Sequence, residues 1–383
     1  MTTSAAPDLL ALDDLLSPAE IAWRDTVRSF VDAEIRPHVA RWYDDAHFPR
    51  EIAPKMGALG VLGMHVAGRS AVEYGLAAME LEAGDSGLRT FASVQGSLAM
   101  TAIHAFGSDE HRERWLPGMA AGELIGCFGL TEPGAGSDPG SMATRAERTA
   151  DGWVLRGVKR WIGLATLADV AVIWARAEEG VRGFVVPTGT PGFTAVPIGP
   201  KLGMRASVQA EITLDAVALP EDAALPGVVG LRGPFTCLDE ARYGILWGAM
   251  GAARDAYEAA LAHALDREQF GSPIAGFQLT QQKLVDMVLE IQKGTLVALR
   301  TGRRKDAGTL PAAQISLGKL NNVREALAVC RSARTILGGD GLTLEHSPMR
   351  HAANLEGVRT YEGTDEVHTL ILGRALTGVP AFR

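Results

Sequence analysis

Cysteine, excess basic charge and long apolar runs are all scarce in this sequence, and each shortage argues against a class of site or protein. The three cysteines, Cys127, Cys237 and Cys330, lie far apart and in no metal-ligand spacing, which predicts inert buried thiols and no metal site. The formal net charge is -8 with no basic stripe to offset it, so we expect no nucleic-acid partner. No apolar run reaches the roughly 18 residues that a membrane span needs, and we expect no span.

The N-terminal segment also lacks the features of a targeting signal. Acidic residues occur there, but the first basic residue is Arg24, whereas secretory and organelle signals carry basic residues early. We therefore expect a cytoplasmic protein. The 383 residues, of which 47% are hydrophobic and 21% charged, are enough for two or three packed domains.

Three zones of different composition follow one another. In the first, Ser17 followed by Pro18 is typical of a helix N-cap. In the second, glycine and short β-branched runs are frequent, and the Asp151–Gly152 pair predicts a hairpin. In the third, apolar residues repeat on one face of long helices. The sequence therefore predicts an α+β multidomain fold with an N-terminal helical domain (1–125), a central, mostly antiparallel β domain (126–230) and a C-terminal four-helix bundle (231–383).

Four short motifs carry the functional signal. They are a glycine-rich loop (129–138), an Arg-Glu-Gln-Phe-Gly segment (267–271), a Leu-Gly-Gly-Asp-Gly turn (337–341) and a Thr-Tyr-Glu-Gly-Thr run (360–364). The glycine-rich loop lacks both the Gly-Lys-Ser/Thr of a P-loop and the strand–turn–helix context of a dinucleotide fold. In this order and at this spacing the motifs resemble the acyl-CoA dehydrogenase flavoprotein family, and within it the glutaryl-CoA dehydrogenases.

The resemblance covers the chain from about Glu20 to the end, and it implies a cofactor, partners and a catalytic residue. The cofactor is FAD, the substrate an acyl-CoA, the electron acceptor an electron-transferring flavoprotein, and the assembly a homotetramer. Glu362 is implied as the catalytic base that removes the α-proton of the thioester. Its own backbone N–H and the ribityl hydroxyl of the flavin are implied to hold the thioester oxygen, which lowers the barrier as that oxygen becomes enolate-like.

The family pattern also implies which residues bind FAD. Arg267 suits the pyrophosphate of a neighbouring subunit's cofactor, although a surface ion pair with Asp266 or Glu268 is the structural alternative. Gly163 is a departure, because the family has a threonine there that donates to flavin N5; a backbone amide, a water molecule or Thr166 must serve instead. The implied cofactor-binding residues are Leu130, Thr131, Gly136, Ser137, Trp161, Ile162, Gly163, Arg267, Phe270, Gln278, Gly338, Gly339, Thr364 and Glu366.

Arg89 is the residue that points to a substrate. Glutaryl-CoA dehydrogenases have an arginine here for the distal carboxylate of the substrate, a glutamate seven residues earlier, as Glu82 is, and a hydroxyl one residue later, as Thr90 is. Because buried charges are normally paired, the alternative is that Arg89 only neutralises Glu82 or Asp85. The implied substrate-binding residues are Arg89, Thr90, Glu82, Ser137, Asp239, Arg242 and Tyr361.

Two further observations qualify the pocket. Asp239 and Arg242 are implied to hold CoA, but they share one helix face at i, i+3, so an internal salt bridge is equally expected. The segment 63–72 is shorter than the glycine-rich loop that the family has before this helix, which would open or reshape the acyl pocket.

The predicted reaction is FAD-dependent α,β-dehydrogenation of a short acyl-CoA, with glutaryl-CoA and decarboxylation to crotonyl-CoA as the first choice. Tyr361 is the residue type found in decarboxylating members. One alternative is a dehydrogenase for another short acyl-CoA, if Arg89 is only structural. Another is a non-oxidising, lyase-type member with a structural flavin, which Gly163 favours and Glu362 opposes. A DNA-binding flavoprotein of the same fold is disfavoured by the acidic charge.

Overall fold

The computed structural model describes residues 8–381. Residues 1–7 and 382–383, at the ends of the first and last predicted domains, lie outside the described residues. Helices occupy the chain as far as Ala120, the strands of one sheet follow from Gly126 to Leu219, and long helices begin at Arg232. This α–β–α order confirms the predicted fold class, while the residue-level domain boundaries stay a prediction.

The N-terminal region consists of helices, and its described residues form no strand. The α-helices are α1 Pro18–Glu34, α2 Arg36–Asp44, α3 Ile52–Leu59, α4 Ala71–Gly84, α5 Ser86–Ala92, α6 Thr101–Phe106 and α7 Asp109–Ala120. The predicted N-cap of α1 is a capping box, because the hydroxyl of Ser17 and the carboxylate of Glu20 each accept a hydrogen bond from the backbone N–H of the other residue. A π-helical segment, Ser93–Met100, joins α5 to α6, and such segments are frequent at functional sites.

Seven strands of the described chain form a single sheet. They are β1 Gly126–Gly129, β2 Arg145–Thr149, β3 Gly152–Gly163, β4 Val170–Ala177, β5 Gly180–Pro187, β6 Phe193–Pro197 and β7 Gln209–Leu219. The order is β1-β4-β2-β3-β7-β6, with β5 also paired to β4. Asp151 and Gly152 close the predicted hairpin between β2 and β3. β1 and β2 pair with β4 in parallel and the other pairs are antiparallel, as predicted.

Long helices form the C-terminal region. They are α8 Arg232–Asp266, α9 Gln278–Asp306, α10 Ala312–Ile336, α11 Ser347–Thr360 and α12 Asp365–Thr377, and a small hairpin of β8 Glu268–Gln269 and β9 Ser272–Pro273 follows α8. α8 packs against α9, α10 and α11 and also against α4. The N-terminal and C-terminal helices therefore share one hydrophobic core, whereas the sheet encloses a second one. This shared core brings α4, α5, α8 and α10 around the last of the four motifs.

Candidate active site

The Thr-Tyr-Glu-Gly-Thr motif forms the tight connection between α11 and α12. Tyr361 is extended, and the side chain of Thr364 caps α12. Glu362 and Gly363 between them have positive φ angles of 57° and 100°. The left-handed conformation costs a non-glycine residue about 1–2 kcal/mol, so surrounding contacts must hold Glu362 in it. We call residues 361–363 the Glu362 loop.

The carboxyl group of Glu362 is prepared to take up a proton. The residue is half-buried, but its Oε2 atom is buried and has no hydrogen-bond partner among residues 8–381. Burial raises the pKa of this carboxyl group, against the attraction of the cations of Arg89, Lys319 and Arg242. A carboxylate with a raised pKa and an unused oxygen has the properties required of a general base.

Arg89 lies on α5 and is enclosed by protein. Its Nε donates to Glu82 Oε2 at 2.6 Å and its Nη2 donates to the Tyr361 hydroxyl at 2.6 Å. The Thr90 hydroxyl lies 3.1 Å from the same Tyr361 oxygen. Burial opposes the charge on Arg89, but Glu82 and the neighbouring groups outweigh it and hold the pKa of Arg89 above its ordinary value. The structure therefore brings four predicted substrate-binding residues into contact.

Of the two structural alternatives for Arg89, the pairing with Glu82 is present and the pairing with Asp85 is not. Asp85 instead accepts hydrogen bonds from Arg350 Nε at 3.1 Å and Asn354 Nδ2 at 2.9 Å. Asp85 is therefore a structural carboxylate that holds α11 against α5.

Unpaired buried polar atoms are concentrated around Arg89. Within the described part of the chain, Arg89 Nη1, Glu82 Oε1, Ser93 Oγ and Glu362 Oε2 have no hydrogen-bond partner. Each such atom costs about 1–3 kcal/mol, and a cluster of them is expected where a polar ligand completes the bonds. Residues 82, 89, 90, 361 and 362 together are called the open centre below.

Asp239 and Arg242, on α8, form the salt bridge that their spacing allows, at 3.0 Å between Arg242 Nη1 and Asp239 Oδ1. Arg242 also reaches the Glu362 loop, where its Nε donates to the carbonyl oxygen of Glu362 at 2.8 Å. The internal salt bridge expected from the spacing is thus present, and the same guanidinium also binds the backbone of the Glu362 loop beside the open centre.

The glycine-rich loop begins at the end of β1 and lies against the far end of β3. The carbonyl of Thr131 accepts from Arg160 N at 2.8 Å, which places Leu130 and Thr131 beside that strand end. Ser137 is exposed, and a Cβ added at Gly136 would meet no atom within 4 Å. The loop is therefore open to close approach by a flat or phosphorylated group.

The end of β3 supplies the other side of this open edge. Trp161 has a φ of 63° and leaves 53% of its surface exposed, at a place where the register between β3 and β7 shifts. Ile162 is buried behind it. A Cβ added at Gly163 would lie 3.4 Å from Val94 Cγ2, on the π-helical segment that continues from α5. The cofactor residues predicted on the β domain therefore lie next to the helix that carries Arg89.

A separate group of predicted cofactor residues lies at the other end of the C-terminal helices. Arg267 caps the end of α8, so its Cα is about 37 Å from that of Arg242, at 1.5 Å per helical residue. In the described part of the chain the Arg267 side chain forms neither of the ion pairs considered for it. Phe270 is 97% exposed. The other exposed members of this group are Gln278, Gly338 and Gly339. One protomer does not bring this group to its own open centre.

Thr364 and Glu366 occupy a third position, at the N-terminus of α12. They line a polar surface pocket together with Arg359 and Asp365. Asp365 is buried beneath the pocket and accepts from Arg324 Nε at 2.9 Å and Arg359 Nε at 2.7 Å. The pocket adjoins the Glu362 loop in sequence but opens to solvent.

Sequence reasoning missed two buried lysines. Lys319, on α10, donates to the carbonyls of Tyr361 and Gly363. Lys159, on β3, donates to Leu130 O at 3.0 Å and Glu132 Oε1 at 2.7 Å, at the start of the glycine-rich loop. A signal existed for Lys319, because Ile315, Lys319 and Val323 are spaced by four and two of them are apolar. A charge on an otherwise apolar helix face requires a specific buried partner.

Comparison with known proteins places the whole chain in one family. The family models for the N-terminal, middle and C-terminal domains of acyl-CoA dehydrogenases match residues 17–123, 127–217 and 230–377. The chain belongs to the acyl-CoA dehydrogenase family. The resemblance inferred from the four motifs is thereby confirmed, and this acyl-CoA dehydrogenase is an FAD-dependent oxidoreductase that acts on a CH–CH bond.

Similar proteins include glutaryl-CoA dehydrogenases of known structure and short-chain specific acyl-CoA dehydrogenases. A glutaryl-CoA dehydrogenase from Mycobacterium smegmatis is 61% identical with a TM-score of 0.97, over 99% of this chain and 100% of that one. A glutaryl-CoA dehydrogenase of that organism in complex with FADH2 is 55% identical with a TM-score of 0.98, over the same shares. Human mitochondrial short-chain specific acyl-CoA dehydrogenase is 35% identical over 91% of this chain and 87% of its own length.

The described residues contain buried cysteines but neither a membrane-spanning helix nor a cluster of metal ligands. Among residues 8–381, no helix has the length and apolar character to cross a bilayer. In the same range no three His, Cys, Asp or Glu side chains are grouped as metal ligands. Cys127, Cys237 and Cys330 are buried free thiols, as predicted.

Proposed function

We propose that this acyl-CoA dehydrogenase oxidises glutaryl-CoA and decarboxylates the product to crotonyl-CoA. The observation that carries the proposal is the unpaired Nη1 of the buried Arg89. A guanidinium that served only to neutralise Glu82 would be expected to use its N–H groups on protein acceptors, since an unused buried donor is unfavourable. A carboxylate at the distal end of the substrate would bind this nitrogen with a charge-assisted hydrogen bond.

Glu362 is proposed as the base that removes the α-proton. Its raised pKa makes it a stronger base than an exposed carboxylate, and its Oε2 has no competing donor in the described chain. The backbone N–H of Glu362 is proposed to donate to the thioester oxygen, where negative charge develops. FAD, when bound, supplies the acceptor for the hydride that leaves the β-carbon.

Decarboxylation would follow from the position of the distal carboxylate. After oxidation the γ-carbon lies between that carboxylate and the new double bond, so loss of carbon dioxide leaves a dienolate stabilised by the thioester. The proton taken up by Glu362 returns to the γ-carbon and gives crotonyl-CoA. Arg89 and Tyr361, which are hydrogen-bonded to each other, would hold the carboxylate until it leaves, with Thr90 and Glu82 fixing their orientation.

FAD is proposed to bind across two protomers. Because Arg267 is about 37 Å from Arg242 along α8, one cofactor at the open centre cannot reach both ends of its own chain's helices. In one protomer the proposed contacts to the ring and phosphates are Leu130, Thr131, Gly136, Ser137, Trp161, Ile162 and Gly163, together with Thr364 and Glu366. The other protomer is proposed to contribute Arg267, Phe270, Gln278, Gly338 and Gly339. The exposed Phe270 and glycine turn support this arrangement. We propose a homotetramer that passes electrons to an electron-transferring flavoprotein.

A dehydrogenase for another short acyl-CoA is the second candidate. The ion pair between Arg89 and Glu82 favours it, because the arginine is already neutralised. The likeness to short-chain specific acyl-CoA dehydrogenase supports it as well. In that case the open centre would bind a short neutral acyl chain such as butyryl, and Asp239, Arg242 and Ser137 would still be proposed to hold CoA.

Anaerobic titration of the visible flavin spectrum tests the proposal. Glutaryl-CoA is expected to bleach the spectrum and release carbon dioxide, while butyryl-CoA bleaches it at least tenfold more slowly at equal concentration. Arg89→Ala should remove this preference, and Glu362→Gln should abolish bleaching while the flavin stays bound, because a general base contributes about 10²–10⁴-fold. A preference for butyryl-CoA that survives Arg89→Ala would establish the second candidate.

A further inference from the structure

The three consecutive carbonyl groups of the Glu362 loop are each bound by a buried or half-buried cation. Lys319 Nζ donates to the carbonyl of Tyr361 and, at 2.6 Å, to that of Gly363. Arg242 Nε donates to the carbonyl of Glu362 at 2.8 Å. Both cations come from helices that are distant in sequence, α10 and α8. The loop is thus held on both sides of Glu362 by one ammonium and at Glu362 itself by a guanidinium.

This binding answers two needs of the loop. The carbonyls of residues 361–363 lie between α11 and α12 and need partners outside both helices, and a cation just beyond the C-terminus of α11 also opposes the helix dipole. The left-handed backbone of Glu362 is also unfavourable, so contacts on both neighbouring residues are needed to keep it. Without them the loop could relax to an extended conformation, and the carboxylate would turn away from Arg89 and the acyl pocket.

Burying the Lys319 ammonium group to bind two carbonyls is energetically unfavourable. Only 2% of its surface is exposed, and burial lowers its pKa to about 7 even though the charge of Glu362 acts in the opposite direction. A lysine is seldom buried unless its charge has a specific partner. The side chain also lies 6.0 Å from the centroid of the Tyr361 ring, whose other neighbour is the Arg89 guanidinium at 5.9 Å.

We propose that Lys319 is a positioning residue for the catalytic base, because its ammonium group, together with the Arg242 guanidinium, holds the Glu362 loop in the conformation that directs the carboxylate at the α-carbon. This inference rests on the proposed role of Glu362. Lys319 touches neither the substrate position nor the reacting atoms, and it acts through the backbone of the loop. Its loss should therefore slow proton abstraction beyond any effect on folding.

Lys201 provides a matched control. It is a half-buried lysine on a loop, and its Nζ donates to two backbone carbonyls, Met204 O at 2.8 Å and Ser207 O at 2.7 Å, and also to the side-chain oxygen of Gln209. Burial lowers its pKa to about 8. Lys319→Met and Lys201→Met each remove two contacts to backbone carbonyls, and Lys201→Met also removes the contact to Gln209. Only Lys319→Met acts on the Glu362 loop.

The experiment measures exchange of the methyl protons of acetyl-CoA with D₂O by the holoenzyme, followed by mass spectrometry. Acetyl-CoA has no β-carbon and cannot be oxidised, so the exchange rate reports proton abstraction alone. Lys319→Met is expected to exchange at least about tenfold more slowly than the wild type, since displacement of a reacting group by about 1 Å can cost 10²-fold. Lys201→Met is expected to stay within about twofold, with flavin content and thermal unfolding recorded for both.

The outcomes separate the two proposals. If Glu362→Gln exchanges as fast as the wild type, Glu362 is not the base and the proposed function fails. If Glu362→Gln is inactive but Lys319→Met exchanges like Lys201→Met, the positioning role is overturned. Should Lys319→Met not fold, Lys319→Gln replaces it, because glutamine is neutral, one atom shorter and easier to bury. Its exchange must then be at least threefold slower than that of Lys201→Gln, and equal rates overturn the inference.

Discussion

Glu80 and Glu82 lie two residues apart on the same helix, both buried and both paired with arginine, yet their surroundings differ. Both oxygens of Glu80 are used: Arg28 and Arg254 each bind the carboxylate with two nitrogens, at 2.6–3.1 Å. Glu82 uses one oxygen, and its partner Arg89 retains a free nitrogen within the described chain. Arg254 also keeps one unpaired nitrogen, Nε, so the difference lies in the carboxylates: Glu80 is fully hydrogen-bonded, whereas Glu82 Oε1 has no partner in the described chain.

The two glutamates differ in whether the ion pair is structural or adjoins a ligand site. A complete pair holds helices together, here α4 to α1 and α8, and it gives no reason to invoke a ligand. An incomplete pair keeps unsatisfied donors and acceptors that a folded protein normally avoids. The open centre is marked as a site because both the arginine and the glutamates there keep unpaired atoms, Arg89 Nη1, Glu82 Oε1 and Glu362 Oε2.

The largest effect on stability is expected at Glu80, whose carboxylate is fully hydrogen-bonded. Glu80→Gln should lower the free energy of unfolding by about 3–5 kcal/mol, because it removes the charge of a buried carboxylate that two half-buried arginines share. The ratio of kcat/KM for glutaryl-CoA over butyryl-CoA should stay within twofold of the wild type. Urea unfolding and steady-state kinetics on the folded enzyme check both points, and a changed ratio would contradict the purely structural role.

Acidification should break the same cluster in the wild type. Burial would raise the pKa of Glu80, but Arg254 and Arg28 outweigh it and lower the pKa to about 2. A lowered pKa gives stability that is present above the unfolded value of about 4.5 and is lost as the pH falls toward 2, about 3 kcal/mol in all. Between pH 5 and pH 2.5 the melting temperature should therefore fall more steeply for the wild type than for Glu80→Gln. Parallel curves would show that another carboxylate dominates.

Glu82→Gln should cost less stability and change selectivity instead. We expect a loss of about 3 kcal/mol, the lower end of the range for removing one partner of a buried ion pair, because Glu82 binds one arginine and Glu80 binds two. The glutaryl-CoA to butyryl-CoA ratio should rise by about fivefold, because a like charge beside the substrate carboxylate is removed. A ratio that falls would mean that Glu82 is needed mainly to orient Arg89.

The smallest effects are expected from adding a methyl group at a glycine, either beside the Glu82–Arg89 pair or, as a control, where nothing lies nearby. A Cβ at Gly248, on α8, would lie 2.0 Å from Glu82 Oε2 and 3.3 Å from Arg89 Nε. Gly248→Ala should destabilise by about 1–3 kcal/mol through overpacking and impair glutaryl-CoA binding. Gly373→Ala on α12, where a Cβ would meet nothing within 4 Å, is the control. It should gain about 0.5–1 kcal/mol in unfolding free energy without altering selectivity.

Much of the fold could be predicted because local chemistry set it. The Ser17 cap, the turn at Gly152 and the apolar faces of the long helices follow from nearest neighbours and periodicity. The contact of Arg89 with Glu82 was one of two alternatives, since both carboxylates are within helical reach. The contact of Arg89 with Tyr361 joins residues 272 positions apart, and no local rule predicts such a distance.

Lys319 illustrates what sequence reasoning leaves out. Its place on an apolar helix face signalled a buried charge, but its partners are backbone carbonyls, which every residue carries and which leave no trace in the sequence. Only the packing of α10 against the end of α11 shows which carbonyls they are. The same holds for Lys159, whose partner loop is distant along the chain.

The sequence by itself determined the order of the regions, the residue types of the chemistry and the resemblance to a family, because helix and strand patterns and short motifs are local. The tertiary structure alone decided which polar atoms are satisfied and which remain free. Whether a polar atom finds a hydrogen-bond partner depends on the angle and depth at which the surrounding helices, α4, α5, α8 and α10, pack against the Glu362 loop. Those angles result from the packing of the whole shared core, so no segment of the chain specifies them on its own.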